Sequence, residues 1–450
     1  MDIKNIHNVY FLGIGGIGMS ALARYFSFIG KRVAGYDKTE TPLTKELSGA
    51  GMAIHYEDSM ELVPEEFLDT EHTLVVYTPA VPKDHMEWQY FRDGGFTVMK
   101  RAEVLGIVTR ESYCLAVAGT HGKTTTSSIL AHLLKETGTP ITAFLGGISE
   151  DLNSNFLLEG TEVSVVEADE FDRSFLQLSP DVACITSMDA DHLDIYGNAE
   201  ALVASFKEFA GRLKTNGKLF VRMGLPLEGI TYGLEEGADF RIVNLRVSDG
   251  GYLFDIQWPG GRLEGVRFNK PGQHNLLNGL VAFGMALQTG AEAGRLAKAL
   301  ASFKGVQRRF SYRIKREDLV YIDDYAHHPT EINAVYDAVR EMHPGKKVVA
   351  VFQPHLFSRT RDFADGFASS LQKFDRVLLL DIYPAREKPM EGVTSEWLLG
   401  MMENPHKKLV GKQDLVEAIK ALEPEVLVTM GAGDIGLEVE KLEKAFGHEN

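Results

Sequence analysis

Three groups of residues have the types and spacing to do chemistry on phosphate. The first is Gly119-Thr120-His121-Gly122-Lys123-Thr124-Thr125. A P-loop reads G-x-x-x-x-G-K-[ST]. Gly122, Lys123 and Thr124 supply its end, but Val117 stands where its first glycine belongs, and Gly119 comes two residues too close. A shorter loop still cradles phosphate if its amides converge on one point, with Lys123 on the phosphate oxygens and the Thr124 hydroxyl on Mg2+. A glycine turn carrying a surface lysine is the plainer account. It leaves the strand before the loop and the helix after it without a purpose.

The second group is two acidic strand ends. "VVEADEFD" supplies Glu167, Asp169, Glu170 and Asp172; "SMDADHLD" supplies Asp189, Asp191, His192 and Asp194. Mg2+, or Mn2+ in its place, takes such hard oxygen ligands. An alternating strand over 163–170 puts Glu167 and Asp169 on one face. Any one of these acids alone reads as a solvated loop residue, whereas two clusters beside a GKT loop read as metal binding. The third group is cationic and polar. "DDYAHHPTE" (323–331) holds Asp323, Asp324, His327 and His328, which a polar turn and helix cap would explain in part. "FQPHLFSRTRDF" (352–363) places His355, Arg359 and Arg361 after a strand, and "GVQRRFS" adds Arg308 and Arg309. Arg359 and Arg361 suit bidentate clamping of carboxylate or phosphate.

A weaker signal lies near the start. Gly13, Gly15 and Gly18 form G-x-G-x-x-G between an apolar run and a helix, and Asp37 follows 19 residues after Gly18. NAD(P), FAD or another diphosphate would satisfy this pattern, and so would a tight turn with no ligand.

These residues need strands to end where they stand. The strand Val9–Leu12, a helix bearing Met19, Leu22, Ala23 and Phe26, and the strand Arg32–Tyr36 make a βαβ unit that continues through 73–81 and 96–108. A second unit opens with the strand 114–119, the loop and a helix, followed by strands 163–170 and 182–188. Residues 215–270 alternate in short pieces that read as an antiparallel patch. "HNLLNGLVAFGMALQTG" is an amphipathic helix closed by Gly290. A third unit has strands in "VYIDDYA", "KVVAVFQP", "RVLLLDIYP" and "VLVTMGAG".

Composition agrees with a globular α/β protein. The chain has 450 residues, 44% hydrophobic and 24% charged, and about 150 residues per domain suggests about three domains. Lysine and arginine number 47 against 63 acids, a net charge of −16. That excludes a general nucleic-acid or anionic-membrane binder. Cys114 and Cys184 read as reduced core residues of a cytoplasmic protein. Residues Val9 to Ala23 lack charge, but their glycines break the run, and no stretch has the length of a membrane span.

Taken together, "GIGGIGMSALA", "GTHGKTTTS", "EADEFDRSFL", "DADHLD", "GQHNLLN", "GVQRRF", "DDYAHHPTEI", "FQPHLFSRTRD" and "GAGDIG" make a chain that resembles the Mur ligases of bacterial cell-wall synthesis. The short loop GT-x-GK-T is similar to the phosphate loop shared by Mur and folylpolyglutamate ligases. The resemblance implies three domains: a Rossmann-like UDP-sugar domain (1–110), a P-loop-type ATPase domain with a mixed sheet (111–311), and a Rossmann-like domain that closes over the site (312–450). It implies ATP-dependent joining of L-alanine to the lactoyl carboxylate of UDP-N-acetylmuramate through an acyl phosphate, with Mg2+ required. It leaves monomer and dimer alike open.

The resemblance also assigns residues. UDP-sugar contacts fall on Gly15, Gly16, Ile17, Gly18, Asp37 and Arg101. ATP contacts fall on Gly119, Thr120, His121, Gly122, Lys123, Thr124 and Thr125, with His274, Asn275, Arg309 and Asp324. Metal ligands are Thr124, Glu167 and His192. Tyr325, His327 and Arg359 match the amino-acid site; Lys123, His192, His327 and Arg359 are the catalytic set, with His192 and His327 as the candidate bases. Two positions depart. Leu356 replaces an arginine found in many relatives, and Lys207, at the spacing of a lysine that several relatives carbamylate, reads as a surface lysine. A sister ligase that adds a recycled tripeptide to the same UDP-sugar would share nearly every ATP residue. An NAD-dependent oxidoreductase would leave the GKT loop and both acidic ends unexplained. A non-catalytic nucleotide-binding regulator would have no use for the acidic clusters or the arginines of the third domain.

Overall fold

The computed structural model describes residues 5–189, 196–248, 250–385 and 387–447. His192, with Asp191 and Asp194, lies outside them. The chain forms two compact units. The first comprises Met1–Val243, Ile256–Glu264 and Asn278–Phe303, and the second Asn244–Asp255, Gly265–Leu277 and Lys304–Asn450.

The first unit begins with a parallel sheet of β1 (Asn8–Leu12), β2 (Arg32–Tyr36), β3 (Ala53–His55), β4 (Thr73–Tyr77) and β5 (Thr97–Lys100). Their order is β3-β2-β1-β4-β5, and every pair is parallel. β1 is buried along its length, as a strand covered on both faces must be. The order reverses beside β1, which opens a crevice at the strands' carboxyl ends. The glycine turn there leads into α1 (Ile17–Phe28), whose Met19, Leu22, Ala23 and Phe26 are buried as their spacing requires. α2 (Pro42–Gly49), α3 (Met86–Asp93) and α4 (Arg101–Thr109) complete the cover.

The central sheet is built around β6 (Tyr113–Ala118). β9 (Val163–Glu167) and β10 (Val182–Ile185) flank it, both parallel to it. β7 (Ile141–Ser149) pairs parallel with β9 and antiparallel with β8 (Ser154–Leu158), so this sheet is mixed. α5 (Lys123–Thr137) follows the phosphate loop, and α6 (Ala199–Ala210) carries an exposed Lys207. β11 (Lys218–Arg222) and β12 (Ile230–Gly233) extend the other edge. The antiparallel patch read over 215–270 needs correction here: β10, β11, β12 and β13 (Phe240–Ser248) pair in parallel. Short connections made those pieces look like hairpins. β14 (Gly251–Trp258) and β15 (Gly261–Phe268) follow the shortest links, of tight-hairpin length.

One apolar core joins the first two sheets. Val9, Phe11 and Leu22 share it with Cys114, Ala116, Phe144 and Val166. Asn155 Nδ2 reaches from β8 to the Ile17 carbonyl and to Ser20 Oγ on α1. Both cysteines are free and buried, and burial pushes the Cys114 thiol up to about 11. No helix among the described residues is long and apolar enough to cross a membrane.

The second unit carries a six-stranded sheet in the order β16-β17-β21-β18-β19-β20. β17 (Val320–Asp324), β18 (Val348–Phe352), β19 (Arg376–Leu379), β20 (Lys407–Leu409) and β21 (Val426–Met430) run parallel, and β16 (Ser311–Lys315) is an antiparallel edge. Apolar clusters cover both faces. α7 (Gln273–Leu287) and α8 (Ala293–Ser302) precede this sheet in the chain, and α9 (Pro329–Met342), α10 (Phe357–Asp362) and α11 (Ala364–Leu371) lie within it in sequence.

Gly106 on α4 tests the close packing of the first unit. A Cβ there would stand 2.3 Å from the Gln177 carbonyl oxygen. Gly106→Ala therefore forces backbone apart, at about 1–3 kcal/mol or more, against about 1 kcal/mol of gained helix propensity. A net loss of about 1 kcal/mol in urea unfolding is expected; equal or greater stability would contradict this approach.

Candidate active site

β6 runs straight into the loop Gly119–Gly122, and the end of β10 shapes it. Gly119 has φ +136°, and a Cβ there would lie 2.0 Å from Thr186 Oγ1. Glycine alone suits both the dihedral and the space. Thr120 Oγ1 meets Ser187 Oγ at 2.9 Å and accepts the Asp189 N–H at 3.0 Å. His121 N–H donates to Ser187 Oγ at 2.8 Å, and its ring Nε2 lies 3.5 Å from Asp189. Gly122, left-handed at φ +84°, caps α5. Lys123, Thr124 and Thr125 form the first turn of α5, whose N–H groups lack partners within the helix and favour an anion.

Lys123 points back across the loop. Its Nζ donates to the Gly119 carbonyl at 2.7 Å and pairs with Glu170 at 2.7 Å from Oε2 and 2.9 Å from Oε1. Glu170 is fully buried, and Tyr196 OH holds its carbonyl at 2.6 Å. Burial works against the lysine charge, but Glu170, Asp169 and Glu167 outweigh it, so the ammonium is held above its ordinary pKa.

The acidic segment does not alternate as an extended strand would. β9 stops at Glu167, so Glu167 and Asp169 do not share a strand face; this corrects the reading from spacing. Glu167 accepts the Gly146 N–H at 3.1 Å, and a Cβ on Gly146 would fall 2.2–2.4 Å from its carboxylate atoms. Asp169 lies 4.0 Å from Arg101, and Asp172 pairs with Lys100 at 2.8 Å. Asp172 and Arg173 have φ of 53° and 55°, left-handed values that cost about 1–3 kcal/mol for a non-glycine residue and recur at functional sites.

The glycine turn of the first sheet is closed by its own acid. Asp37 Oδ2 accepts the Gly15 N–H at 2.7 Å. A Cβ on Gly15 would stand 2.8 Å from that oxygen, and one on Gly18 would stand 2.9 Å from Arg101 Nη1. Arg101 thus lies across the start of α1, close to the exposed Gly16 and Ile17, where a cation and a helix N-terminus both favour a phosphate.

In the second unit, the Tyr325 ring has two arginines beside it. The Arg308 and Arg309 guanidinium carbons stand 5.3 and 5.2 Å from its ring centroid. Arg308 Nε donates to Asp323 at 3.0 Å, and Arg309 lies 3.7 Å from Glu331. His327 Nδ1 faces the Tyr325 carbonyl at 3.0 Å and Glu331 Oε2 at 3.2 Å. Two oxygens facing Nδ1 place a proton on that nitrogen. His327 packs edge-on to His355 at 6.2 Å, and His355 Nδ1 is 3.5 Å from Arg359, whose side chain is buried. Leu356 takes φ +70° beside them, its N–H on the Tyr383 carbonyl at 2.9 Å. Asp324 accepts the Phe310 and Ala326 N–H groups, each at 2.7 Å. His274 crowds Gly272, where a Cβ would lie 2.4 Å from its ring, and Asn275 donates to the Pro271 carbonyl at 2.6 Å.

The expected residues therefore divide between the units. Gly15, Gly16, Ile17, Gly18, Asp37, Arg101, Gly119–Thr125 and Glu167 belong to the first; His274, Asn275, Arg309, Asp324, Tyr325, His327 and Arg359 belong to the second. Reasoning from motifs passed over Glu170 as the partner of Lys123, Gly146 as the seat of Glu167, and Glu331 as the residue facing both His327 and Arg309. The hydroxyl pair Thr186-Ser187, directly after β10, was a legible signal for a loop anchor.

Residues 8–113, 117–286 and 308–433 match the Mur ligase family catalytic domain, the Mur ligase middle domain and the Mur ligase glutamate ligase domain. The chain is 59% identical over 444 residues to UDP-N-acetylmuramate–L-alanine ligase of Flavobacterium johnsoniae, covering 99% of each chain. It is 48% identical over 465 residues to the protein of that name from Cytophaga hutchinsonii, covering 100% of each. Its fold matches the crystal structure of UDP-N-acetylmuramate–alanine ligase from Thermotoga maritima with a TM-score of 0.83 at 28% identity, over 98% of this chain and 99% of that one. A murein peptide ligase from Psychrobacter arcticus shares the fold at a TM-score of 0.73 and 23% identity, over 99% of each chain.

Asp324 gives the site a pH signature. Burial raises its carboxyl from 3.8 to about 6, with Arg309 and the two N–H donors acting against it. A carboxyl raised by folding contributes stability below its unfolded value and loses it as pH climbs through the folded value. Against Asp324→Asn, which does not titrate, the nucleotide-free protein should lose about 2 kcal/mol of relative stability between about pH 4.5 and 7.5. Paired urea titrations measure this; a gap constant with pH would show that Asp324 titrates as a free carboxylate.

Proposed function

The chain belongs to the Mur ligase family, and from that premise we infer that it joins L-alanine to the lactoyl carboxylate of UDP-N-acetylmuramate with hydrolysis of ATP to ADP and phosphate. The observation that carries this reading is the 59% identity, end to end, with a ligase of that name. ATP is the co-substrate, and the reaction supplies peptidoglycan synthesis. The cell compartment is proposed to be the cytoplasm, which suits two reduced, buried cysteines.

Amide formation from carboxylate and amine is uphill in water, so the carboxylate has to be activated. In the proposed sequence it attacks the γ-phosphate in line, the acyl phosphate meets the alanine amine, and phosphate leaves a tetrahedral intermediate. Lys123 and the first-turn amides of α5 receive the γ-phosphate; the lysine then exchanges the Glu170 carboxylate for phosphate oxygens. Thr124 and Glu167 offer oxygens suited to Mg2+, and Glu167 sits in a cradle that a Cβ on Gly146 would fill. When bound, Mg2+ neutralises charge on the transferring group. Arg101 and the turn Gly15–Gly18 are proposed to hold the UDP-sugar, with Asp37 bracing the turn. Arg309 and Asp324 serve ATP, as do His274 and Asn275. Tyr325 and Arg359 position L-alanine, and His327 or His192 takes the ammonium proton.

Phosphate release tests the reading. It should require MgATP, UDP-N-acetylmuramate and L-alanine together, and Lys123→Ala should lower it about 10²-fold or more. Turnover with the tripeptide L-Ala-γ-D-Glu-meso-diaminopimelate but not with L-alanine would move the assignment to a recycling ligase. Gly146→Ala should displace Glu167 and raise the Mg2+ concentration needed for half-maximal rate about tenfold. An unchanged Mg2+ requirement would remove Glu167 from the metal site.

A further inference from the structure

Away from the phosphate loop, the first sheet holds a second cluster of ligand-type side chains that the ligase reaction does not use. Asp58 comes from the loop after β3; His85 and Glu87 come from the start of α3. His85 Nδ1 lies 3.1 Å from Asp58 Oδ1. Glu87 accepts Tyr10 OH at 2.6 Å and the Ser59 N–H at 3.3 Å, and its Oε1 is 3.5 Å from His55 Nε2. Asp58 also accepts the Met86 and Glu87 N–H groups at 2.8 and 3.2 Å. Donor atoms of Asp58, His85 and Glu87 all lie within 4.8 Å of one another.

A capped helix start explains part of this arrangement, since Asp58 and the α3 amides suit each other. It does not explain the rest. The side chains of His85 and Glu87 are 5% and 0% exposed. Among the described residues no lysine or arginine pairs with Asp58 or Glu87, and burying the Glu87 carboxylate without a cation is costly. His85 Nε2, the ring nitrogen that does not face Asp58, is buried with no hydrogen-bond partner. Its Nδ1 faces Asp58 and also lies 3.4 Å from the Trp88 N–H, and no single tautomer serves both.

We propose that Asp58, His85 and Glu87 form a binding site for a divalent transition-metal ion of the Zn2+ type. One imidazole nitrogen and two carboxylate oxygens are a ligand set that such ions accept and that Mg2+, which avoids imidazole, does not prefer. Metal–ligand bonds of about 2.0–2.2 Å place adjacent donors about 3.0–3.6 Å apart. The His85–Asp58 pair already has that spacing, and side-chain rotation brings Glu87 in. The ion ties the loop after β3 to α3 and rests against Tyr36, whose ring lies 4.4 Å from His85. The Tyr36 carbonyl accepts the Gly13 and Ile14 N–H groups at 2.8 and 3.0 Å, so the site braces the glycine turn from behind.

The test is Zn2+ titration of the metal-stripped full chain by calorimetry, with Mg2+ in excess and no nucleotide. One saturable Zn2+ per chain is expected, with histidine and oxygen neighbours in its X-ray absorption spectrum. His85→Gln and Asp58→Asn should each weaken it about tenfold or more, and Glu167→Gln should leave it unchanged. No saturable binding overturns the proposal, as does binding that survives both substitutions or is lost in Glu167→Gln. Thermal midpoints without metal check each variant's folding; if His85→Gln does not fold, the near-isosteric Asp58→Asn decides.

Discussion

A single buried ion pair sets the terms for the phosphate loop. Lys123 is 14% exposed and Glu170 is not exposed at all. An unpaired ammonium there would face a desolvation penalty of several kcal/mol. Glu170 offsets that penalty because β9 ends beside β6, which brings residues 47 apart in sequence within hydrogen-bond reach. The parallel register of the two strands is thus what allows a lysine to sit inside the loop. The dihedral of Gly119 and the hydroxyls of Thr186 and Ser187 then turn the loop so that the same lysine lies over the start of α5.

The same logic explains why one core spans the first two sheets. A site assembled from strand ends is only as well placed as the strands, and strand ends are where a sheet is least supported. Packing α1 against β7 and β8, with Asn155 bonded to the Ile17 carbonyl, holds the glycine turn and the phosphate loop on a common base. The left-handed pair Asp172-Arg173 shows where this rigidity is used. Lys100 holds Asp172, and the Arg173 guanidinium lies 5.7 Å from the Tyr196 ring, so both strained residues are restrained by side chains from neighbouring elements.

Much of the fold was legible in the sequence because its signals are local. Apolar runs ending in glycine or acid marked β1, β6, β9, β17 and β21, and the buried face of α1 followed from spacing. The loop's glycines, lysine and threonine declared themselves in the same way. What stayed hidden depends on contacts between distant residues. Nothing near Glu170 distinguishes it from Asp169, and only the register of β9 against β6 selects it. Gly146 reads as a weak spot in β7 until Glu167 is seen to need its missing Cβ. The parallel pairing of β11, β12 and β13 is hidden because parallel strands ordinarily need a crossover of about a dozen residues, and the links between these are shorter. Asp37 fits the position of a ribose-binding acid in a dinucleotide fold, yet its oxygen is already bonded to the Gly15 amide. The spacing that suggests one role serves another, and a fingerprint of glycines and an acid therefore does not choose among diphosphate ligands.

A chain of net charge −16 that handles anionic substrates has to present cations without leaving them bare. Each cation assigned to phosphate faces a carboxylate of its own: Lys123 with Glu170, Arg101 with Asp169, Arg309 with Glu331. On the proposed assignment, an arriving phosphate would substitute for a carboxylate instead of neutralising an unpaired charge. The exchange changes the local field little, so the net free energy of binding is modest compared with the Coulomb energy of the new contact. It also confers selectivity, because a phosphate carries more charge and more acceptor oxygens than the carboxylate it displaces, whereas a neutral ligand offers neither. On this view the acidic residues around the loop are part of the anion site. Removing Glu170 would expose the cost of a buried lysine before any substrate had arrived.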